Sequence, residues 1–322
     1  MNATFLMGLR PQTLEAFEVI SRADMNNESL LALNTHHNET LRELRLSVPH
    51  IAALPNLRNC VMLESFYLDA GFVDAYLEEP VISGITAWLR SCKKLRNISL
   101  VKMTNSAKIM TPVLLENDIK LLKLELEGYS LSDGNDFHPG LANQTSLQSL
   151  RLKGDNLDHG ILVDCVARLT NLRELQLKDV SDLFMDEDIC HLVRDLDELQ
   201  MFWTSGIAIS DTVLPALVKP KLRNLSFGGV TTFTKDGILK YISSLDPERN
   251  RGLALSVLNA HSDSNLTEAD QRQIRASISR KVDGSFEFFL DRGSQHSALF
   301  HNSMLTWLAE IDSSDSSYSE SE

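Results

Sequence analysis

The sequence predicts an α/β solenoid, a right-handed coil in which each turn is a strand, a loop and a helix. A curved parallel sheet should line the concave side and helices the convex side. Two observations predict this. The pattern L-x-x-L-x-L, with other apolar residues admitted for Leu, begins at Leu14, Leu41, Leu63, Leu95, Leu121, Leu147, Leu172, Leu196 and Leu222, at an average step of about 26 residues. Between these segments lie apolar residues at helical spacing.

A period in this range, carried by this pattern, is the signature of leucine-rich repeats. The mixed spacing has a physical reason. In Leu172-x-x-Leu175-x-Leu177 the last two leucines are two apart, so both point from one face of a strand into the core while Gln176 points out. Leu172 packs where the chain turns into the strand, and Leu169 closes the preceding helix. The spacing marks a corner from helix to strand.

The elements follow in order. Residues 1–13 form a lead-in too short to cap the strand at Leu14–Val19, whose edge is expected to be covered by a preceding domain, a partner or a second copy. Residues 14–246 hold the nine recognisable repeats. Ile161, Leu162, Cys165, Val166 and Leu169 mark one convex helix, Ile189, Leu192, Val193 and Leu196 another, and Ile238, Leu239, Ile242 and Leu245 a third. Asn27 and Thr234 read as helix N-caps. Residues 247–311 form divergent terminal repeats: strands at 252–257 and 285–290, a helix opening at Thr267, and a last capping helix through Phe300, Met304, Trp307, Leu308 and Ile311. The segment 312–322, DSSDSSYSESE, is acidic and lacks an apolar anchor, so it reads as a disordered tail. Ser317 and Ser319 each have Glu three residues on and are candidate phosphorylation sites, or else part of a plain solubilising tail.

A net charge of −13 disfavours general attraction to nucleic acid or to an anionic membrane. Five of the acids (Glu310, Asp312, Asp315, Glu320 and Glu322) stand at the C-terminal end, leaving about −8 elsewhere. No stretch has the length of a membrane helix, and the N-terminus lacks a signal-peptide pattern. Four cysteines, at 60, 92, 165 and 190, suit a reduced compartment, cytoplasmic or nuclear.

No nucleotide-binding, nucleophile-elbow or zincin motif is present, so no enzyme activity and no cofactor are expected. Cys60 and Cys92 each stand three residues before a repeat's first leucine, a slot assigned to Leu169 and Val193 elsewhere; they read as small buried hydrophobes rather than a metal or redox pair. His36 and His37 lack ligands at zinc spacing, so no metal site is expected.

The outward strand positions are not required by the core, and they line the concave face. There Glu125 should sit beside Arg151, and Glu127 beside Lys153. These charges read in two ways, as a binding site or as a surface ladder worth about 0–1 kcal/mol per pair. Phe202 and Trp203 fall at the solvent end of a strand as interface anchors, unless the following loop covers them; Tyr67 and Tyr129 are weaker candidates of the same kind. With Arg151, Lys153, Gln176 and Lys178 they make up the candidate partner-binding set.

The irregular repeat length, the variable residue after each strand (Pro49, Gly71, Met103, Val180) and phrases such as WLRSCKKLRNISL and FTKDGILKYISSL resemble the repeat region of F-box leucine-rich-repeat proteins, fungal ones in particular, over about residues 14–290. The resemblance implies a non-enzymatic protein-binding module that recruits substrates to a cullin-based ubiquitin ligase through an adaptor. No F-box pattern stands before Leu14. The alternatives are a GTPase activator resembling the Ran-activating leucine-rich-repeat proteins, whose Asn after the strand this chain lacks, and a plain structural scaffold.

Overall fold

A computed structural model describes residues 3–19, 27–47, 50–71, 77–130, 136–155, 159–179, 181, 184–259 and 266–290. The expected last helix through Phe300 and Ile311, the tail 312–322, Ser317 and Ser319 lie outside them.

Eleven strands form one parallel sheet in strict chain order: β1 (Ala16–Val19), β2 (Glu43–Ser47), β3 (Ser65–Asp69), β4 (Asn97–Val101), β5 (Lys123–Ser130), β6 (Ser149–Asp155), β7 (Glu174–Lys178), β8 (Met201–Ile209), β9 (Asn224–Thr231), β10 (Ala254–Asn259) and β11 (Ser285–Leu290). The convex side carries α1 (Ala3–Gly8), α2 (Asn27–His36), α3 (Glu79–Ser91), α4 (Ser106–Leu114), α5 (Phe137–Ala142), α6 (His159–Val166), α7 (Asp186–Val193), α8 (Lys235–Ser244) and α9 (Glu268–Val282). Two connections, Ile51–Leu57 and Asp211–Leu217, are 3-10 helices, and each contains a proline that disfavours a longer α-helix (Pro55 and Pro215).

From β1 to β9 each coil is tied to the next by one shared carbonyl. The N–H groups of Arg173 and Glu174 both donate to Gln148 O, at 2.7 and 2.9 Å, and those of Gln200 and Met201 both donate to Arg173 O, at 2.7 and 2.9 Å. The same pair of bonds recurs from Glu15 O to Gln200 O. Behind this ladder the inward residues stack. Phe17, Leu44, Phe66, Ile98, Leu124, Leu150, Leu175, Phe202, Leu225, Leu255 and Phe286 form one continuous buried row across the sheet. Full burial of such a side chain contributes roughly 1.5–3 kcal/mol.

Caps follow the sequence at two helices. Thr234 accepts from Gly237 N–H at 3.0 Å, and Thr267 forms a capping box with Asp270. Asn27 is the first residue of α2 itself. Ile161 of α6 is exposed, whereas Leu162, Cys165, Val166 and Leu169 are buried.

Two expectations need correction. Phe202 is fully buried: it pairs in register with Leu175, so it faces the core and not the concave surface. The eighth repeat therefore starts at Leu199, with Leu196 occupying the slot of Leu169, and the outward residues of β8 become Met201, Trp203 and Ser205. Tyr129 is also buried, at 2% exposure. Gly128 adopts a left-handed φ of 82° and the β5–β6 register shifts between Glu127 and Tyr129. This bulge turns Tyr129 inward, where its ring lies 5.7 Å from Phe137. It also presses on Gly154, where a Cβ would lie 2.4 Å from Tyr129 O.

At the far end the core is less closed. Phe288 of β11 is only half-buried, although its register partner Val257 is 1% exposed, and Phe289 is 37% exposed.

Leu175→Ala is expected to lower the unfolding free energy by about 2–5 kcal/mol and Phe202→Ala by about 3–5 kcal/mol. Urea denaturation checks both; an unchanged midpoint for Phe202→Ala would contradict its place in the core.

Candidate functional site

The concave face presents three rows of outward side chains, and the middle row carries most of its chemistry. At β1 and β2 Glu18 pairs with Arg45 at 3.3 Å, and the Arg45 guanidinium lies 5.1 Å from the centre of the Tyr67 ring. Burial, then the neighbouring Asp69 and Glu125 carboxylates, pushes the half-buried Tyr67 phenol above its ordinary pKa. Across β4 to β6 the Ser99 hydroxyl donates to Glu125 at 3.0 Å, and Lys153 pairs with Glu127 at 3.0 Å.

The register places Glu125 opposite Arg151 and Glu127 opposite Lys153, as the sequence predicts. Arg151 nevertheless makes its ion pair on its other side, with Glu174 at 3.5 Å, while Glu174 also accepts from the Ser149 hydroxyl at 2.9 Å. Gln176 is buried in the row and donates to Met201 Sδ at 3.5 Å.

Lys178 ends β7 with its ammonium 4.4 Å from the centre of the Trp203 ring. Burial, then the nearby Lys153 ammonium, holds Lys178 below the ordinary lysine pKa. Trp203 points outward from β8 yet is only 8% exposed, because Lys178 covers one side and Gly228 leaves room for its ring on the other. Arg151, Lys153, Gln176, Lys178 and Trp203 thus come together on β6 to β8. Tyr67 stands three strands from Arg151, and Phe202 and Tyr129 face the core.

Other polar groups serve packing. Cys60 and Cys92 stack in adjacent repeats, with Cys92 Sγ 3.5 Å from Cys60 O, and burial pushes both thiols up to about 12. His37 is buried, with Nε2 3.3 Å from Leu6 O, so it ties α2 to α1. No group of residues among those described could hold a metal ion.

One contact was invisible in the sequence. His159 Nδ1 lies 3.3 Å from Ser181 Oγ, and its Nε2 lies 3.4 Å from Asp188 Oδ2. The residue types are those of a hydrolytic triad, but the same Asp188 oxygen caps α7 by accepting from Met185 N–H at 3.0 Å. The cluster joins successive coils and orders a helix start. His159 comes from the coil before the one that holds Ser181 and Asp188, so no local motif could announce it.

No protein-family model matches the chain, and no curated protein matches it. Among solved structures it is similar to Rad7 in the Rad7 and Elc1 complex in yeast, at 15% identity over 90% of this chain and 72% of that one, with a TM-score of 0.50. It is also similar to TLR13 in its complex with ssRNA13, at 14% identity over 88% of this chain and 39% of that one, with a TM-score of 0.45. With one parallel sheet alternating with helices, the fold is an α/β leucine-rich-repeat solenoid. Among the described residues no helix is long and apolar enough to cross a membrane.

The cysteine environments give a direct test. Cys190 is half-buried, whereas Cys60 and Cys92 are sealed and protonated at neutral pH. Thiol titration of the native protein at pH 8 is expected to label Cys190 first and to reach Cys60 and Cys92 only on unfolding; rapid native labelling of Cys92 would contradict the packing.

Proposed function

We propose that the chain is a non-enzymatic protein-interaction module, acting as the substrate-recognition component of a cullin-based ubiquitin ligase. The observation that carries the reading is the concave face. Eleven parallel strands, about 48 Å of arc at about 4.8 Å per step, present rows of side chains that the core does not use. Such a preformed surface recognises a partner without first paying to order it. The shared fold with Rad7, solved in complex with Elc1, supports a protein partner. The resemblance of the repeats to those of F-box proteins supports the ligase assignment.

Purification of the tagged chain from its own cells, with mass spectrometry of what accompanies it, tests both levels. The expected result is a cullin and its adaptor together with substrate proteins. Recovery of other proteins alone would retain the module and remove the ligase; recovery of none would remove both.

A further inference from the structure

Strands β6 to β9 offer twelve outward positions, three on each strand. Three hold cations (Arg151, Lys153 and Lys178), and one holds a carboxylate, Glu174. In a chain of net charge −13 these twelve positions reverse the sign, while Asp179, the residue after β7, is a further carboxylate whose charge acts on Lys178. The neighbouring strand β5 brings Glu125 and Glu127, but the first accepts from Ser99 and the second is paired with Lys153.

Folding does not call for this arrangement. Lys153 and Lys178 are register partners on adjacent strands, so two cationic side chains leave the sheet about 4.8 Å apart, and like charges set opposite each other destabilise a sheet. Glu127 relieves Lys153. Among the described residues, no carboxylate ion pair is formed by Lys178, whose ammonium rests on Trp203 instead. Arg151 is also incompletely used: its contact with Glu174 is long, at 3.5 Å, and its buried Nε has no acceptor. Two donors short of acceptors therefore stand on adjacent strands, one of them over a large aromatic ring.

We propose that this patch, centred on Lys178 and Trp203, receives an acidic segment of the partner protein, whose carboxylates dock on Lys178 and Arg151. The proposal rests on the interaction-module reading and specifies its partner's chemistry. An incoming carboxylate supplies the missing acceptor and relieves the repulsion between the lysines; it also changes the charge above the indole, so Trp203 reports binding. Charge-assisted contacts of this kind are the stronger class of hydrogen bond.

The test titrates the full chain with a ten-residue peptide of alternating Glu and Ser, against the same peptide with Gln for Glu, following peptide anisotropy and tryptophan emission. The Glu peptide is expected to bind at least about tenfold more tightly, and Lys178→Gln to remove about tenfold in affinity while moving the melting temperature by no more than about 3 °C. In a Trp307→Phe background, Trp203→Phe should abolish the emission change, since the remaining Trp88 is sealed at 2% exposure. Should Lys178→Gln unfold the protein, Lys178→Arg decides: a folded variant that binds supports the site, and a folded variant that does not bind overturns it. Equal binding of the two peptides, binding of neither, or tighter binding of a single-stranded oligonucleotide would also overturn it. In the cell purification, a Lys178→Gln chain that keeps every partner sinks the acidic segment and leaves the module standing, whereas a wild-type chain with no partner sinks the module itself.

Discussion

One carbonyl per coil holds the solenoid in register. From Glu15 O to Gln200 O, each accepts two successive N–H groups from the start of the following strand, so a coil cannot slide along its neighbour without losing both bonds. A slip of one residue would also turn the leucines of that coil outward and its charges inward. Hydrogen bonding and burial thus impose the same alignment, and the inward row from Phe17 to Phe286 is its result. Because each coil buries its apolar face only against the next, eleven strands can be added without enlarging the core's cross-section.

The alignment decides the outer surface as firmly as the inner one. Once Leu150 is stacked on Leu175 and Leu152 on Leu177, Arg151 must stand beside Gln176, and Lys153 beside Lys178. What remains free is the tilt of long side chains. Arg151 has Glu125 on one side and the Glu174 strand on the other, and it turns to Glu174 while Ser99 takes Glu125. Backbone register fixes which side chains are neighbours; local competition for hydrogen bonds fixes which neighbours pair.

The same division explains what was legible in the sequence. Nine of the strands announce themselves through leucine spacing, because inward positions tolerate little but apolar residues. The frame slipped only at β8, where Leu196 opens an apolar triplet (Leu196, Leu199, Met201) and Leu199 opens one that ends in a polar residue (Leu199, Phe202, Thr204). The frame from Leu196 places Met201 inside, whereas the one the molecule adopts places Thr204 there, a polar residue with a fully buried side chain. A search that rewards apolar residues prefers the wrong frame, and Phe202 then looks exposed. At β5 the strand itself was legible, but the bulge at Gly128 was not: counting by twos puts Tyr129 outside, and one left-handed residue turns it in. Of the candidate site, Arg151, Lys153, Gln176 and Lys178 were legible because their strands keep a plain alternation. The contact between Lys178 and Trp203 joins two repeats across the frame that slipped, and only the folded sheet displays it.

The rigidity of the register bears on why charges that repel can stay together. Lys153 and Lys178 could lower their energy by moving apart, but their backbones are held by the β6–β7 ladder and by the carbonyl of Gln148 that anchors the start of β7. Relief is left to the side chains, and they have taken it unequally: Lys153 reaches back to Glu127, and Lys178 folds over Trp203. A surface whose donors are already positioned, and whose repulsion folding has already offset, needs little reorganisation when an anion arrives. On this scaffold the interactions that make the core unable to slip are the ones that let the outer face hold an unfavourable cluster of charge in place.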